Sequence, residues 1–329
     1  MATLDSQWTP VTYDISSVAA GQGSVYIKFT MGPTNSARDY SGWNIDDLEV
    51  TSEALYPVEG TMGTEFTIPG SGFGIKKGKV LIGNTSATIL GWDNGIRARL
   101  TKVLAPGVYD VTIVPSAPKG AASIIQKDAF VIKPPQIDSI ERASGTAWDE
   151  VTIRGKFFGK SKGKIYLQYE KEDGTLVRKS CKVLSWTMDV TTGEGEIVFL
   201  VPVLLPEVCD VVVDSYGALP ETEDEDGFAV KAPEIVAVDP GGGMVGEQIR
   251  IHGKFLGTKK GKVYLGYELK GKATKKSCTV VSWDVDSTTA EGEGDIVFVV
   301  PKGLTPGHYD LIVTNSVGSH NLLKKLTIK

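Results

Sequence analysis

Few side chains in this sequence have the types and spacing that a reactive site needs. Three histidines, His252, His308 and His320, are available for acid–base or metal chemistry, but no arrangement of Ser, His and Asp, or of Cys and His, accompanies them. A catalytic triad is assembled in space, so the sequence leaves that alternative open. We predict that the protein is not an enzyme and has no catalytic residues and no bound cofactor.

An acidic run at residues 221–226 is the one cluster with metal-binding chemistry. Its carboxylates at Glu223, Asp224 and Asp226 are suitable ligands for a hard cation such as Ca²⁺. Their spacing matches no ordered calcium-binding loop, so the favoured interpretation is a solvated, charged loop. Calcium binding by these three residues is the alternative.

A Gly-x-Gly-x-x-Gly pattern at residues 241–246 has the spacing of a dinucleotide-binding loop. It follows Pro240 and precedes the strand-like sequence Glu-Gln-Ile-Arg-Ile, whereas a nucleotide site needs a helix at that point. We interpret this stretch as a loop between two strands.

Cysteine usage argues against both a disulfide scaffold and a zinc site, because Cys181, Cys209 and Cys278 lie far apart. Cys181 and Cys278 each end a Lys-Ser-Cys sequence, and Cys278 has no partner nearby. We therefore predict three buried free thiols. A bridge between Cys181 and Cys209 is the alternative.

One nine-residue stretch occurs three times, at residues 66–74, 151–159 and 249–257. Each copy predicts a short alternating strand that breaks at a glycine, where another backbone must approach closely or the chain must turn. We expect Gly155 and Gly253 to lie at a turn or bulge without room for a side chain. Gly155→Val should then destabilise its repeat by roughly 1–3 kcal/mol.

The repeated stretch divides the chain into a segment and three repeats. Strand signals every 8–12 residues, turns rich in Gly, Pro, Asp and Asn, and no helical periodicity predict an antiparallel β-sandwich for each repeat. Proline at the repeat starts predicts stiff junctions and a semi-rigid rod. The predicted boundaries are 1–54 for the segment, 55–133 for the first repeat, 134–232 for the second and 233–329 for the third.

Several motifs recur at matching places: Pro-x-Ile at the start, Gly-x-x-Phe-Gly, Gly-Lys-Val, a Trp before a strand that ends in Val-Pro, and Gly-x-Tyr-Asp-Val near the end. Together they resemble the IPT/TIG domain, an immunoglobulin-like fold, over residues 55–329. The resemblance implies an all-β fold of tandem immunoglobulin-like sandwiches. It leaves function open, because this module occurs in bacterial surface proteins, extracellular receptors, carbohydrate-active enzymes and some transcription factors.

The first 54 residues resemble the closing half of the jelly-roll or MAM-like sandwiches of bacterial exported proteins, which commonly end in Trp-Asn-Ile-Asp-Asp as residues 43–47 do. Three predicted strands cannot cover a sandwich core, so their edges and the side chains of Trp8 and Trp43 are candidates for contact with another chain. We expect head-to-tail self-association through this segment, and the alternatives are completion by an upstream part of a longer chain or by docking onto the first repeat. Deletion of residues 1–52 should leave three folded, monomeric repeats.

The second and third repeats share an insertion that the first lacks, and we interpret it as a hairpin. Its turns are predicted at Asp173-Gly174 and Lys270-Gly271. The hairpin residues Tyr169, Asp173, Tyr267 and Lys270 are therefore candidates for a contact surface.

Tryptophans fall into two groups. Trp92, Trp186 and Trp283 occupy one repeated position, which favours core packing over ligand stacking. Trp148 has no counterpart and follows Gly-Thr-Ala in a predicted turn. It is a further contact candidate.

Charge and hydropathy argue against two classes of main partner. The net charge of −5 argues against nucleic acid as the main partner. The sequence has no run of 18 apolar residues, so we expect no insertion into a membrane. Basic and acidic residues number 2 and 7 in residues 1–54, 9 and 5 in 55–133, 11 and 18 in 134–232, and 13 and 10 in 233–329. Net charge therefore alternates in sign along the chain, as −5, +4, −7 and +3.

These patterns favour a structural or interaction protein of a bacterial cell surface or extracellular assembly: a spacer, an adhesin stalk, or a filament or layer subunit. The first alternative is a carbohydrate-binding accessory region of a secreted hydrolase, with a glycan as partner. The second is an intracellular DNA-binding protein. The first residues lack the basic start and apolar core of a signal peptide, so we expect either an intracellular protein or part of a larger exported one.

Overall fold

The computed structural model describes the three repeats almost completely. The described residues are Tyr13, Ile15, Ile27, Lys28, 55–93, 95–117, 120–215, 222–289 and 291–329. The strands predicted in residues 1–54, and the contact candidates Trp8 and Trp43, lie outside the described residues.

The described residues form strands β1 to β25 and no helix. Within this part of the chain, accordingly, no helix is long and apolar enough to cross a membrane. The protein divides into two compact units, Met1–Lys133 and Pro134–Lys329. The predicted all-β class with tandem sandwiches is confirmed.

The first repeat has seven strands, which pair in the order β1-β7-β6-β3-β4-β5-β2. Their bounds are β1 Glu59–Gly60, β2 Glu65–Ile68, β3 Lys79–Ile82, β4 Thr85–Gly91, β5 Ile96–Arg99, β6 Gly107–Val114 and β7 Ile124–Ile132. β4 joins the two layers, because its first half pairs with β3 and its second half pairs with β5.

The second repeat has two separate sheets. Its strands are β8 Gln136–Ile140, β9 Ser144–Gly145, β10 Glu150–Lys156, β11 Lys164–Glu170, β12 Leu176–Ser180, β13 Lys182–Met188, β14 Glu194–Leu200, β15 Glu207–Asp214 and β16 Thr222–Val230. One sheet has the order β13-β14-β10-β8 and the other β12-β11-β15-β16-β9.

The third repeat has the same pairing. Its strands are β17 Glu234–Asp239, β18 Gly242–Gly243, β19 Gln248–Lys254, β20 Lys262–Leu269, β21 Lys272–Ser277, β22 Thr279–Val285, β23 Gly294–Val299, β24 Gly307–Thr314 and β25 Ser319–Ile328. The sheets have the orders β17-β19-β23-β22 and β18-β25-β24-β20-β21.

Each repeat has its own apolar core between its two layers. Alternation along the strands produces it: in β10, for example, Val151 and Ile153 are buried and the intervening Thr152 is not. Full burial of such a side chain contributes about 1.5–3 kcal/mol. The layers are therefore held by many individual contacts of this size.

The predicted hairpins are confirmed. β11 pairs with β12 as far as Glu170 and Leu176, and β20 pairs with β21 as far as Leu269 and Lys272. The first repeat has the same connection in a shorter form, β3 to β4, which ends at Ile82 and Thr85. The insertion thus lengthens an existing hairpin, and β12 and β21 become sheet edges.

The repeated tryptophans lie against their own repeat. Trp92, Trp186 and Trp283 are partly buried beside the three cores. Each indole N–H donates to the backbone oxygen of a glycine, at 3.0, 2.9 and 2.9 Å respectively. Core packing, predicted from their repeated position, agrees with this geometry.

The three cysteines are buried and free. Cys181 lies between β12 and β13, where the chain passes from one sheet to the other, and Cys278 lies at the same crossing between β21 and β22. Their backbone N–H groups donate to the oxygens of Ile165 and Val263 at 2.8 and 2.9 Å. A small buried side chain suits this crossing.

We expect these thiols to be unreactive in the folded protein. Burial raises the pKa of Cys181, Cys209 and Cys278 to about 12, so the nucleophilic thiolate is scarce at neutral pH. Ellman's reagent should detect almost none in native protein and three in denaturant without reductant. Detection of only one in denaturant would reveal a disulfide bridge and contradict this account.

Candidate functional site

Trp148 has a backbone conformation that a bulky residue rarely adopts. Its φ is 77°, and the equivalent turn positions in the other repeats are Gly63 and Gly246, with φ of 100° and 92°. A left-handed conformation costs a non-glycine residue roughly 1–2 kcal/mol. The contacts of its side chain must offset that cost.

The indole of Trp148 lies between the second and third repeats. It packs against the core of the second repeat, while Lys259 of the third repeat places its Nζ 3.3 Å from the ring centroid. A cation over an aromatic face contributes about 0.5–1 kcal/mol when exposed and about 2 kcal/mol when desolvated. Trp148 therefore links the two repeats.

Asn315 makes the second link. Its Nδ2 donates to Oγ1 of Thr146 in the second repeat and to the backbone oxygen of Phe255 in the third, both at 3.0 Å. Its Oδ1 accepts from the backbone N–H of Val317 at 2.9 Å and of Gly318 at 3.1 Å, which shapes the turn between β24 and β25. One side chain thus shapes a turn of the third repeat and holds the second.

Val317 enters the core of the neighbouring repeat. Only 3% of its surface is exposed, and it belongs to the buried cluster formed otherwise by the second repeat. The next residue, Gly318, lies close to Ala232 in the connection between the repeats, because a Cβ added at Gly318 would lie 3.1 Å from Cβ of Ala232. The chain between the repeats is therefore packed against the third repeat.

A buried ion pair lies beside these contacts. Asp149 is 3% exposed, its Oδ2 accepts from the Thr146 N–H at 2.9 Å, and the Arg142 guanidinium lies 3.5 Å away. Arg142 also reaches the backbone oxygen of Ser287 in the third repeat at 3.5 Å. We call the contact made by Arg142, Thr146, Trp148 and Asp149 with Lys259, Ser287, Asn315 and Val317 the 2–3 interface.

Burial raises the pKa of the Asp149 carboxyl above its usual value, against the opposing effects of the Thr146 N–H and the Arg142 charge. A raised pKa means that the folded state binds the proton more tightly than the unfolded state. The stability contributed by protonated Asp149 is therefore present below the unfolded pKa and is lost as pH rises through the folded pKa.

We expect Asp149 to titrate at higher pH than Asp189 and Asp286. Hydrogen bonds from the backbone of Thr192 and the side chain of Thr288 lower the pKa values of those two carboxyls. Carboxyl NMR titration of the whole chain measures all three. An Asp149 resonance that titrates with or below the other two would contradict its buried position.

The interface residues on the second repeat are peculiar to it. Where it has Arg142, Trp148 and Asp149, the first repeat has Pro57, Gly63 and Thr64, and the third has Pro240, Gly246 and Glu247. The turn of the third repeat is exposed, with 57% of Met244 and 41% of Val245 accessible. The second repeat alone therefore combines this ion pair with an indole.

The hairpin tyrosines proposed as contact residues face inward. Tyr169 packs against the core of the second repeat and Tyr267 against that of the third. Tyr267 meets Tyr309 edge-on, with ring centroids 5.6 Å apart. Both continue the inward-facing positions of β11 and β20.

Outward positions on the same hairpins carry Tyr166 and Tyr264, which the sequence analysis did not select. Each has a cation over its ring: Arg178 at 3.9 Å and Lys275 at 4.3 Å from the ring centroids. Successive side chains of a strand point to opposite faces, so the sequence alone places Tyr166 and Tyr264 on the face opposite Tyr169 and Tyr267.

The other two hairpin candidates occupy the turns. Asp173 accepts the backbone N–H of Thr175 at 2.9 Å, and hydrogen bonds from Thr175 lower the pKa of its carboxyl. Lys270 and Gly271 both have positive φ, 50° and 71°, as a two-residue type I′ turn requires. Asp173 thus stabilises the turn of its hairpin, and Lys270 occupies the first turn position of the other hairpin.

The acidic run lies in β16, so its interpretation as a loop is wrong for residues 222–226. Glu223 pairs with Val212 and Asp224 with Val211. Consecutive strand residues point to opposite faces, so these two carboxylates do not converge on one ion. Among the described residues, no group of three His, Cys, Asp or Glu side chains is placed to hold a metal.

Each histidine has a partner within the third repeat. His252 Nδ1 lies 3.1 Å from Oδ1 of Asp295, and His308 Nδ1 lies 3.1 Å from Oγ1 of Thr327. The ring of His320 accepts the backbone N–H of Ile235 at 2.7 Å. The contacts of His252 and His308 join paired strands, whereas that of His320 joins the two sheets of the sandwich.

Comparison with known proteins gives one partial sequence match. No family model matches the chain. A cyclomaltodextrin glucanotransferase of Geobacillus stearothermophilus is 33% identical over 112 residues, which cover 33% of this chain. The match covers 15% of that relative's length.

Solved structures with a similar arrangement have low sequence identity. The full extracellular region of plexin A4 is 15% identical over 83% of this chain and 24% of its own, with a TM-score of 0.33. The SGBP-B protein of a xyloglucan utilization locus in Bacteroides uniformis is 18% identical over 59% of this chain and 49% of its own, with a TM-score of 0.26. The three described repeats are all-β sandwiches in tandem along the chain.

Proposed function

We propose that this chain is a non-enzymatic spacer built from IPT/TIG-type repeats, acting in a bacterial extracellular or cell-surface assembly without a resident cofactor. One observation carries the proposal: a side chain of the third repeat, Val317, completes the core of the second. Flexible connections leave repeats free to turn, whereas a shared core holds them in one orientation. A spacer needs such a connection to keep its ends apart.

Trypsin tests the connection at Lys231, which lies between the repeats. The backbone N–H of Lys231 donates to the oxygen of Gly145 at 2.8 Å, so cleavage there requires local opening. We expect cleavage after the exposed hairpin residue Lys171 to be much faster. Early cleavage at Lys231 that releases the third repeat would contradict a fixed connection.

A carbohydrate-binding accessory role is the second candidate, favoured by the partial match to a glucanotransferase. Sugars stack on open aromatic faces, but one face of Trp148 is occupied by Lys259. Affinity electrophoresis in soluble starch separates the possibilities. Retardation that disappears with Trp148→Ala would support this role, and unretarded migration of the native chain would reject it for α-glucans.

Self-association through residues 1–52 remains our proposal for the N-terminal segment. Sedimentation velocity of the full chain and of the deletion variant tests it. A monomeric full chain would reject it.

A further inference from the structure

A groove of about 700 Å³ lies along strands β19, β22 and β23 of the third repeat. Its lining includes Arg250 from β19, Ser282, Trp283 and Asp284 from β22, and Asp295 and Val297 from β23. Sites for small ligands commonly span about 300–1,000 Å³ and combine apolar walls with a few polar groups. The groove has both the size and the lining of such a site.

The polar side chains of the groove share the outer face of the sheet. Arg250 pairs with Val297, and Val297 pairs with Ser282 on its other side. Asp295, two residues before Val297, pairs with Asp284. The residue between Asp295 and Val297 is fully buried, so these positions point away from the core. Hydrogen-bond donors and acceptors therefore lie side by side in two neighbouring rows.

Asp284 lies directly opposite a second carboxylate, which is unfavourable for the fold. Residues in such a pair have Cβ atoms about 4.5–5.5 Å apart, and like charges there are destabilising. His252 compensates Asp295 in part, because its Nδ1 lies 3.1 Å from Oδ1 of that carboxylate. Within the described ranges, the side chain of Asp284 has no hydrogen bond or ion pair. Departures of this kind from the rules of stability are expected at functional sites.

The corresponding face of the second repeat is neutralised within itself. Thr187 takes the place of Asp284, and Glu196 takes the place of Asp295. Arg154 Nη1 lies 2.6 Å from Oε2 of Glu196. The opposed carboxylates are therefore a property of the third repeat and not a requirement of the sheet.

The mixture of charges restricts the class of ligand. Arg250 is exposed, and no described residue forms an ion pair or hydrogen bond with its guanidinium. This guanidinium disfavours a cation, whereas Asp284 and Asp295 disfavour an anion. A hydroxyl group suits both, because it accepts from a guanidinium and donates to a carboxylate. A neutral ligand with many hydroxyl groups and apolar C–H faces therefore fits this lining.

We propose that the groove binds a neutral carbohydrate chain. Arg250 donates to its hydroxyl groups, Asp284 accepts from them, and Trp283 and Val297 provide apolar wall for the C–H faces of the sugar rings. The site is separate from Trp148 and goes beyond the spacer role, on which it does not depend.

Affinity electrophoresis of the full chain in gels with soluble starch, hydroxyethyl cellulose or galactomannan tests the site. We expect retardation in at least one of these neutral polysaccharides. Asp284→Asn and Arg250→Gln should each weaken that binding about tenfold, the effect of losing a hydrogen bond to a charged group. Each variant is compared with itself in a gel without polysaccharide, because the substitutions change the charge of the chain.

Asp138→Asn and Arg154→Gln are the matched controls, since both positions are exposed on the four-stranded sheet of the second repeat. Both should be retarded as the native chain is. Thermal unfolding supplies the second readout for Asp284→Asn. Its midpoint should stay equal or rise, because the substitution removes repulsion from Asp295, whereas a structural role for Asp284 would lower it.

Four outcomes would overturn the site: a native chain that is unretarded in all three polysaccharides, retardation that persists in both groove variants, equal loss in the controls, or a lowered unfolding midpoint for Asp284→Asn. Retardation that only Trp148→Ala abolishes would assign the binding to the 2–3 interface instead. None of these outcomes bears on the connection at Lys231, so the spacer role is judged separately.

Discussion

Replacement of Gly155 by valine should destabilise the second repeat by about 3 kcal/mol or more. Gly155 lies in β10 at a register shift against β8. A Cβ added there would lie 2.0 Å from the backbone oxygen of Gln136 and 2.7 Å from Cζ of Phe158. The backbone cannot yield without breaking the pairing of β8, so the effect should exceed that of an ordinary surface change.

Peptide-resolved hydrogen exchange of the whole chain measures this loss in β8, β10 and β14. Gly253→Val should act in the same way on the third repeat, because its Cβ would lie 2.5 Å from the backbone oxygen of Glu234. Gly241→Ala is the control, since a Cβ at Gly241 would have no atom within 4 Å. Unchanged protection in the Gly155 variant would contradict the strand register.

Trp148→Ala should open the 2–3 interface with a loss of roughly 3 kcal/mol. The variant loses the contact with the core and with Lys259, yet its φ of 77° stays unfavourable for alanine. Trp148→Gly removes that backbone cost and should recover about 1 kcal/mol. Hydrogen exchange around Ala232 and Val317 should increase in both variants, more so in the alanine variant.

A double-mutant cycle with Lys259→Met isolates the contact between the cation and the ring. We expect a coupling energy of roughly 0.5–2 kcal/mol between the two positions. Val245→Ala, at the exposed turn of the third repeat, is the control and should leave exchange at the interface unchanged. A coupling energy near zero would show that Lys259 lies over the ring without stabilising the interface.

Sequence reasoning predicts the features that repeat. Gly155, the tryptophans at one position, and the longer hairpins each appear at least twice, so alignment of the repeats separates them from chance. Alternation along β11 and β20 was also available and would have placed Tyr169 and Tyr267 inward. The prediction that these two residues form a contact surface rests on their place in the insertion and neglects the alternation of side chains along a strand.

Other features depend on contacts that no local pattern encodes. Asn315 and Thr146 are 169 positions apart in sequence, and their hydrogen bond exists only because the two repeats are packed together. The acidic residues of β16 have low strand propensity, and pairing with the apolar β15 overrides it. Positions at which the second repeat differs from the other two, such as Arg142 where they have proline, indicate the 2–3 interface in the sequence.

The fixed orientation of the second and third repeats is the central claim, and a spin-label distance distribution tests it most directly. Labels at Thr187→Cys and Lys302→Cys, both exposed positions, report on one repeat each, while the three native thiols are buried. The account predicts one narrow distance peak in the native chain, broadened by Trp148→Ala. A broad distribution in the native chain would contradict it.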